Sequence, residues 1–341
     1  PILSKDIIQN GFPYLQPSVD TNLKVYSNHS GGSTGQPVNF LQDSFYSDWN
    51  IANKIYYKSF GQKILGEKEI RLWGSERDIL NKKSPIKHHI QNWLYNRIDL
   101  NAFRMTKDDM DYYISIINQQ KPDWIEAYVQ PIFELSSYIR RNNIAIHSPK
   151  GVVTSAGTLY PFMKKEIEST FKTHVFNRYC SRAVGDMACS CTHGSELHLS
   201  PWNHVLEVLD ENMQKPKKGH YGKIYVTTLN NYSMPLIRYD IGDIAKVSKE
   251  KHMCQCGRYT PLISEVQGRT ISVVRKKEGG IIPAEFFIHF IGVVYNKGFI
   301  DKFQVIQHDY DNLEIKAVIK NKSEFLKYKD RIDTSLREVL D

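Results

Sequence analysis

Residues 30–37 combine glycines and hydroxyl side chains in a pattern that could bind phosphate. Three glycines and three hydroxyl residues occupy the six positions before Gln36 and Pro37: Ser30, Gly31, Gly32, Ser33, Thr34 and Gly35. Glycine lets the backbone turn so that successive N–H groups point at one anion, and the hydroxyls add further donors. This chemistry suits the polyphosphate of ATP, although the lysine and the following helix of a Walker-type site are missing. A flexible hairpin loop has the same composition, so this stretch alone leaves both interpretations open.

A second set of residues could bind a soft or borderline metal ion. Thiolates and imidazoles are the usual ligands of structural zinc. The candidate set comprises four such residues in the second half of the chain: Cys191, His198, Cys254 and Cys256. The Cys-x-Cys spacing is less diagnostic than Cys-x-x-Cys, and His193 and Cys189 are alternative ligands. Four unrelated residues, two of them buried thiols, would leave the same pattern, but the residue types favour zinc.

Three further segments occur in a recognisable order along the chain. They are residues 71–78, 175–186 and 226–243. With the Gly/Ser stretch, their order and separation resemble the adenylate-forming (acyl-activating) superfamily. The closest resemblance is to the phenylacetate–coenzyme A ligase family and its capsule-polysaccharide biosynthesis branch, and it covers nearly the whole chain. It implies a ligase that uses ATP to activate a carboxylic acid as an acyl adenylate, and then transfers the acyl group to coenzyme A or to an amine.

The resemblance also implies roles for individual residues in nucleotide binding. It places the Gly/Ser stretch on the β- and γ-phosphates of ATP, and Tyr179, with neighbouring Ser181, against adenine. Asp243 would accept hydrogen bonds from both ribose hydroxyls. Arg238 would support the phosphates or Asp243, although a structural ion pair accounts for it equally well. A strand–turn–helix junction on the adenine side would be formed by Ser155, Ala156, Gly157 and Thr158.

Several positions depart from the pattern of the family. Gln36 stands where most relatives have a lysine, and Gly157 where they have a glutamate. Ala183 replaces a glutamate that helps to hold Mg²⁺, so a carboxylate ligand for a hard cation is lost. Asp186 could partly substitute for it, but on a helix its side chain would point elsewhere. An alternative function is therefore a catalytically degenerate nucleotide-binding or scaffold homologue.

The resemblance completes the expected set of cofactors and partners. ATP, Mg²⁺ and coenzyme A follow from the reaction. A structural Zn²⁺ follows because some relatives carry a cysteine, a downstream histidine and a later Cys-x-Cys-Gly-Arg in this order. The expected partners are a nucleotide and a small-molecule carboxylic acid, whose pocket residues 124–131 and Val153 would line. A homodimer is a further possibility.

The composition argues against several other classes of protein. The net charge is +8, but no nucleic-acid-binding motif accompanies the basic runs, so we expect no nucleic acid partner. No apolar run approaches the roughly 20 residues that cross a bilayer. Five cysteines, an odd number without a secretion signal, predict a reducing cytoplasm rather than a disulfide framework.

The hydrophobic pattern predicts the elements that must position these residues. Helical spacing occurs in residues 43–60, 107–119 and 158–171, and residues 125–142 combine the end of a strand with a helix. Strands at 151–155 and 175–178 alternate with these helices, which predicts an α/β fold with a largely parallel sheet. From residue 199 onward, short strands predict a β-rich subdomain, at 204–210, 222–229, 244–247 and 262–266.

A domain boundary is expected near residue 268. It divides the chain into a large nucleotide- and acyl-binding domain, residues 1–267, and a small α+β C-terminal domain, residues 268–341. The small domain would contain strands at 271–275, 303–307 and 313–319 and helices at 284–294 and 323–340. The resemblance implies that this domain is truncated, because the family continues for another strand or two and carries a catalytic lysine there.

Overall fold

The computed structural model describes residues 1–11, 15, 23–29, 38–74, 85–102, 105–248, 254–269, 273–275, 281–283, 287, 291 and 299–340. Contacts between Cα atoms divide the chain into two compact units, Pro1–Val266 and Gln267–Asp341. The assignment of domains at 1–267 and 268–341 stays a prediction. The mixed α/β class is confirmed.

The large unit is built on one broad sheet. Its strands, in chain order, are β1 (Val25–His29), β2 (Asn39–Asp43), β3 (Glu69–Trp73), β4 (Arg97–Asn101), β5 (Trp124–Tyr128), β6 (Gly151–Ser155), β7 (His174–Ser181), β8 (Gly185–Ser190), β9 (Leu197–Leu199), β10 (His204–Leu209), β11 (Tyr221–Thr228), β12 (Tyr239–Val247) and β13 (Leu262–Arg269). Strands β1 and β2 form a separate hairpin, and the other eleven form one sheet in the order β10-β11-β12-β13-β9-β8-β7-β6-β5-β3-β4.

Strands β4, β3, β5, β6 and β7 make the parallel half of this sheet. The helices of the large unit are α1 (Lys5–Gly11), α2 (Ser44–Lys58), α3 (Pro85–Leu94), α4 (Lys107–Gln120), α5 (Val129–Arg141) and α6 (Pro161–Phe171). Because parallel neighbours need crossover connections, the alternating strands and helices predicted from the sequence produce this half. The carboxyl ends of its strands meet at one edge of the sheet.

Local sequence explains where these helices begin and end. Helix α2 begins after Asp43, whose carboxylate accepts a hydrogen bond from the Tyr46 N–H at 2.8 Å. Helix α4 has a capping box, in which Thr106 and Asp109 exchange side-chain and backbone hydrogen bonds. Helix α6 has Pro161 in its first turn, where a missing N–H costs nothing.

The other half of the sheet contains the antiparallel pairs β7–β8, β8–β9, β9–β13, β10–β11 and β11–β12. The predicted β-rich subdomain is present, and β12 begins at Tyr239, five residues before the predicted strand. Strands β8 and β9 were not predicted, because they are short and carry several polar residues. Among the described residues, no helix is long and apolar enough to cross a bilayer.

Two apolar cores lie against the sheet. The first packs the parallel strands against α4, α5 and α6 and includes Ile70, Ile114, Leu135 and Ile167. The second packs α1, β2 and the antiparallel strands and includes Ile8, Phe40, Val184, Met234 and Ile241. Tyr179 is packed against this second core, so the cores hold a candidate nucleotide residue in a fixed position.

The hairpin of β1 and β2 pairs Val25 with Asp43 and His29 with Asn39. The Gly/Ser stretch, residues 30–35, is therefore the connection between two antiparallel strands, as expected for a loop between strands. Residues 30–37 themselves lie outside the described residues, so their assignment to phosphate stays a prediction.

The small unit contains the described strands β14 (Val273–Arg275), β15 (Ile281–Pro283), β16 (Ile300–Asp309) and β17 (Asn312–Ile319), and helix α7 (Lys322–Leu340). Strands β14–β15 and β16–β17 pair as antiparallel hairpins. Three of its predicted strands and the last predicted helix are present, and β15 was not predicted. The helix predicted at 284–294 falls almost entirely outside the described residues.

Candidate functional site

Two residues to which the resemblance gives nucleotide roles are joined by a hydrogen bond. The Tyr179 hydroxyl, on β7, donates to the Asp243 carboxylate, on β12, with an Oη–Oδ2 distance of 2.7 Å. The two residues are 64 positions apart in the chain, and both side chains are half-buried. An aromatic ring and a two-acceptor carboxylate are thus fixed side by side. Their assignment to adenine and ribose stays a prediction.

Arg238 is engaged by a different carboxylate. Its guanidinium donates two hydrogen bonds to Glu207 on β10, at 2.9 and 2.7 Å. These bonds lower the pKa of Glu207. Of the two roles weighed for Arg238, the structural ion pair matches this geometry, although the pair is partly exposed rather than buried.

The junction between β6 and α6 lies beside the end of β7. Strand β6 pairs in parallel with β7 through Thr154 and Asn177, so both strands end at the same edge of the sheet. Ser155 is fully buried, and its Oγ lies 3.0 Å from Cys180 Sγ. Ala156 adopts a left-handed conformation (φ 56°), and Ala156 and Gly157 are exposed. The turn therefore reaches solvent at the edge where Tyr179 lies, with Thr158 half-buried behind it.

The turn from β7 to β8 contains the altered metal-ligand position. Ser181 Oγ accepts a hydrogen bond from the Ala183 N–H at 3.2 Å. Ala183 is only 6% exposed and belongs to the second apolar core. Its carbonyl accepts hydrogen bonds from Gln42 and Tyr46. The described turn offers no carboxylate at this position, so its residues do not supply a ligand for Mg²⁺.

Asp186 does not lie on a helix, and that expectation was wrong. Gly185 has a positive φ of 81°, which turns the chain directly into strand β8. Asp186 is 2% exposed, and its Oδ1 lies 3.8 Å from Arg178 Nε. The carboxylate therefore faces an arginine inside the protein, which is not the surrounding expected for a Mg²⁺ ligand.

Buried charges near this point were not identified from the sequence. Arg178 donates to Glu126 on β5 at 2.6 Å, and Lys58 Nζ on α2 lies 3.2 Å from the other Glu126 oxygen. Burial by itself would raise the pKa of Glu126, but the charges of Arg178 and Lys58 outweigh it and hold that pKa well below its usual range. The sequence feature that could have revealed these buried charges is a glutamate within the otherwise apolar strand 124–128. Glu126 and Val153 were placed in the predicted acyl pocket, and the structure places them on adjacent strands in register.

The four predicted metal ligands come together. The ligand atoms of Cys191, His198, Cys254 and Cys256 all lie within 4.8 Å of one another. Cys191 Sγ is 3.5 Å from Cys254 Sγ, and Cys256 Sγ is 3.5 Å from His198 Nε2. With metal–sulfur bonds of about 2.3 Å, a tetrahedral zinc ion separates its sulfur ligands by about 3.8 Å. The donor set and its spacing therefore fit a structural zinc ion.

The surroundings of this cluster hold the ligands in place. His198 Nδ1 lies 2.8 Å from Thr260 Oγ1, which leaves Nε2 facing the thiols. The His193 N–H donates to Cys191 Sγ, while the His193 side chain is exposed. Burial, followed by the charge of Arg258, lowers the pKa of His198 to about 4. Cys189 lies in a small aromatic core beside the cluster and outside the group of four.

The comparisons with known proteins agree with this fold. No family model matches the chain. It is 25% identical over 303 residues to the protein CapK of Staphylococcus aureus, covering 87% of this chain and 64% of that protein. The chain thus spans slightly less than two thirds of this relative's length.

Two solved structures show which fold the chain adopts. One is a 2-hydroxyisobutyryl-CoA ligase in the postadenylation state in complex with an acyl-AMP, R3-HIB-AMP, with a TM-score of 0.66, 15% identity, and coverage of 100% of this chain and 74% of that one. The other is the amide bond synthetase McbA of Marinactinospora thermotolerans, with a TM-score of 0.51, 11% identity, and coverage of 86% and 59%. The chain has the fold of the adenylate-forming ligases, as the resemblance predicts.

Proposed function

We propose that this protein binds ATP, activates a small carboxylic acid as an acyl adenylate, and transfers the acyl group to coenzyme A or to an amine. The hydrogen bond between Tyr179 and Asp243 carries the proposal. It brings together, from two distant strands, the aromatic ring and the carboxylate that recognition of adenine and ribose requires.

Three features of the large unit support nucleotide binding at this place. The parallel strands β6 and β7 end beside Tyr179, and ligands of open α/β sheets bind at the carboxyl ends of such strands. The exposed turn at Ala156 and Gly157 gives access to that edge. Asp243 is on a strand, so its carboxylate has a fixed direction.

The neighbours and the relative support the rest of the reaction. One neighbour is a coenzyme A ligase and the other an amide bond synthetase, so both acceptors remain within the proposal. The resemblance to the capsule-polysaccharide branch, together with the similarity to CapK, supports a role in making or modifying a surface polysaccharide.

Ala183 favours a second candidate function, a nucleotide-binding homologue that forms adenylates slowly or not at all. Its methyl group is buried where relatives have a metal-binding glutamate. Any Mg²⁺ that arrives with ATP would then be held by phosphate and water oxygens, because the turn at 182–184 gives it no carboxylate. The two candidates share the nucleotide site and differ in the rate of pyrophosphate release.

We also propose a structural role for zinc bound by the Cys₃His cluster. Four protein ligands fill a tetrahedral ion and leave no open position for catalysis. The ion would link the end of β8 and strand β9 to the turn that precedes β13. This proposal is independent of the nucleotide site.

Calorimetric titration with ATP and AMP tests the principal proposal. Asp243→Ala removes the acceptor for the ribose hydroxyls and should weaken binding by about 1–3 kcal/mol, roughly 5- to 150-fold. Glu265→Ala is the matched control, because Glu265 also accepts a hydrogen bond from a tyrosine, Tyr221, at 3.0 Å. The control should bind nucleotide as the native chain does.

Two results would count against the proposal. The native chain could bind neither nucleotide, or Asp243→Ala could bind both without loss. If nucleotide binds, acid-dependent pyrophosphate release over a panel of acids separates the ligase from the slow homologue. Product analysis with coenzyme A or an amine present then identifies the acceptor.

A further inference from the structure

Polar side chains line the contact between helix α2 and the sheet. The buried face of α2 carries Tyr46, Asn50, Asn53 and Tyr57, at helical spacing. A helix that packs on a sheet usually buries an apolar stripe. The sheet residues opposite include Arg178 and Asp186, so the contact is polar on both sides. We call Asn50, Arg178 and Asp186 the polar layer.

Most polar groups of this contact have structural partners. Asn53 Nδ2 donates to the Asp186 carbonyl at 2.6 Å, and the Tyr57 hydroxyl donates to the Met187 carbonyl at 2.8 Å. These bonds hold α2 against strand β8, which lies inside the sheet between β7 and β9. They account for the asparagine and the tyrosine without any ligand.

Three buried atoms of the polar layer have no hydrogen-bond partner among the described residues: Asn50 Oδ1, Arg178 Nε and Asp186 Oδ2. Arg178 and Asp186 are 4% and 2% exposed. The 3.8 Å from Arg178 Nε to Asp186 Oδ1 is too long for a hydrogen bond. Buried polar groups are nearly always hydrogen-bonded, so a bound group is expected to pair with these two acceptors and one donor.

These three atoms belong to neighbouring parts of the structure. A Cβ added at Gly185 would overlap the side-chain oxygen of Asn50, which places that oxygen against the residue preceding Asp186. Arg178 reaches Asp186 from strand β7, the antiparallel neighbour of β8. One small polar group could therefore face both acceptors and the arginine donor.

The polar layer is also adjacent to the proposed nucleotide site. Arg178 is followed directly by Tyr179, which donates to Asp243, although successive side chains of a strand point to opposite faces of the sheet. Cys180, the next residue, lies against Ser155 at the exposed turn after β6. A substrate whose carboxylate lies at this edge, near the nucleotide, could extend its other end toward the layer.

We propose that the acid activated by this protein is a polar one, which carries a hydroxyl or an ammonium group that donates to Asp186 and Asn50. This inference rests on the proposed function and specifies its substrate class. A hydroxyl oxygen can also accept from Arg178 Nε, whereas an ammonium group only donates. A simple alkyl or aryl acid would leave all three buried groups unpaired, and such sites reject analogues that lack the hydrogen-bonding group.

Equilibrium binding of matched acids tests the inference without requiring turnover. The probes are propanoate, 2-hydroxypropanoate, 3-hydroxypropanoate, alanine and β-alanine, titrated calorimetrically into the full chain saturated with AMP. At least one hydroxy or amino acid should bind more tightly than propanoate, by about tenfold or more. The hydroxy and amino members show which donor the site takes.

Two variants assign any preference to the polar layer. Asp186→Asn keeps the shape but removes the charge and one acceptor, and Asn50→Leu removes the other acceptor. Each should reduce the preference about tenfold while AMP affinity stays unchanged. The matched control is Asp99→Asn, since Asp99 also faces an arginine, Arg71, but on the far strands β3 and β4. If Asp186→Asn fails to fold, Asn50→Leu still provides the test.

The outcomes separate this inference from the proposed function. Failure of AMP to bind the native chain would contradict the proposed function. If AMP binds but propanoate binds as well as its hydroxy and amino relatives, the substrate class is wrong and the nucleotide site stands. A preference that survives both variants also overturns the inference, because the polar layer would not be its source.

Discussion

Removal of the proposed zinc ion should destabilise the large unit strongly. The perturbation is Cys256→Ser, chosen because Cys256 Sγ lies 3.5 Å from His198 Nε2 within the cluster. The four ligand atoms are already within 4.8 Å of one another, so little rearrangement is needed to bind the ion. In the absence of metal, burial and the neighbouring thiols raise the pKa of Cys191 to about 12, whereas a bound ion requires the thiolate.

The size of the effect follows from linkage between binding and folding. A ligand present at about a thousand times its Kd stabilises the native state by about 4 kcal/mol. For a unit of this size, that corresponds to a decrease in Tm of roughly 10 °C when the ion is lost. The affected segment joins β8, β9 and the turn before β13, so the loss should begin locally there.

Metal analysis and scanning calorimetry measure both parts of this prediction. Chelator-free native protein should contain one zinc ion per chain, and Cys256→Ser should contain little. Cys180→Ser is the matched control, since Cys180 lies outside the cluster and contacts Ser155 instead. Native protein without stoichiometric metal would refute the reasoning, as would a Cys256→Ser protein that keeps its zinc and its Tm.

Three further predictions concern the surroundings of the site. Ala183→Glu should lower the free energy of unfolding by about 3 kcal/mol, because it buries an unpaired carboxylate at a position that is 6% exposed. An unchanged urea-unfolding midpoint in this variant would contradict the expectation. Gly185→Ala should lower the free energy of unfolding, measured in urea, by about 2–4 kcal/mol. The added Cβ would overlap the Asn50 side chain, and the backbone there has a positive φ. An unchanged free energy of unfolding would show that the turn can relax. Burial lowers the pKa of His204 to about 4 from its usual 6.5, so below pH 6.5 the unfolded chain binds a proton that the folded chain does not. The free energy of unfolding should therefore fall by about 3 kcal/mol as the pH drops from 6.5 to 4. His204→Gln should flatten this pH profile of unfolding, and an equally steep profile in the variant would exclude His204 as its cause.

The elements with strong periodicity could be predicted closely from the sequence. Helix α2 was expected at 43–60 and is Ser44–Lys58 followed by a short 3-10 turn, and the strand expected at 151–155 is Gly151–Ser155. Helix α4 was expected one residue shorter than it is. These elements have local causes, such as the caps at Asp43 and Thr106, so a short window of sequence contains the information.

Strands β8 and β9 could not be predicted in the same way. Residues 185–190 alternate poorly between polar and apolar, and both strands are buried because other strands flank them. Asp186 was considered on a helix for this reason, whereas the positive φ of Gly185 leads into a strand. The environment that stabilises these segments is formed by residues far away in the chain.

The sequence by itself determined which residue types are available for chemistry. It identified the three thiols and the imidazole that come together, and the tyrosine and aspartate that form one hydrogen bond. These residues could be grouped in advance because a ligand set or a nucleotide contact needs particular functional groups, which can be read from the sequence with their order and spacing. Their roles in binding zinc and nucleotide stay predictions.

Only the tertiary structure decided which charges meet. Arg238 binds Glu207, and Arg178 lies between Glu126 and Asp186, across separations of up to 52 positions. Such pairings depend on which strands are neighbours and which face of the sheet each side chain occupies, and both are set by packing of the whole unit. The sequence contains every member of these pairs, but the free energy that selects the partners comes from burial, which exists only once the sheet is complete.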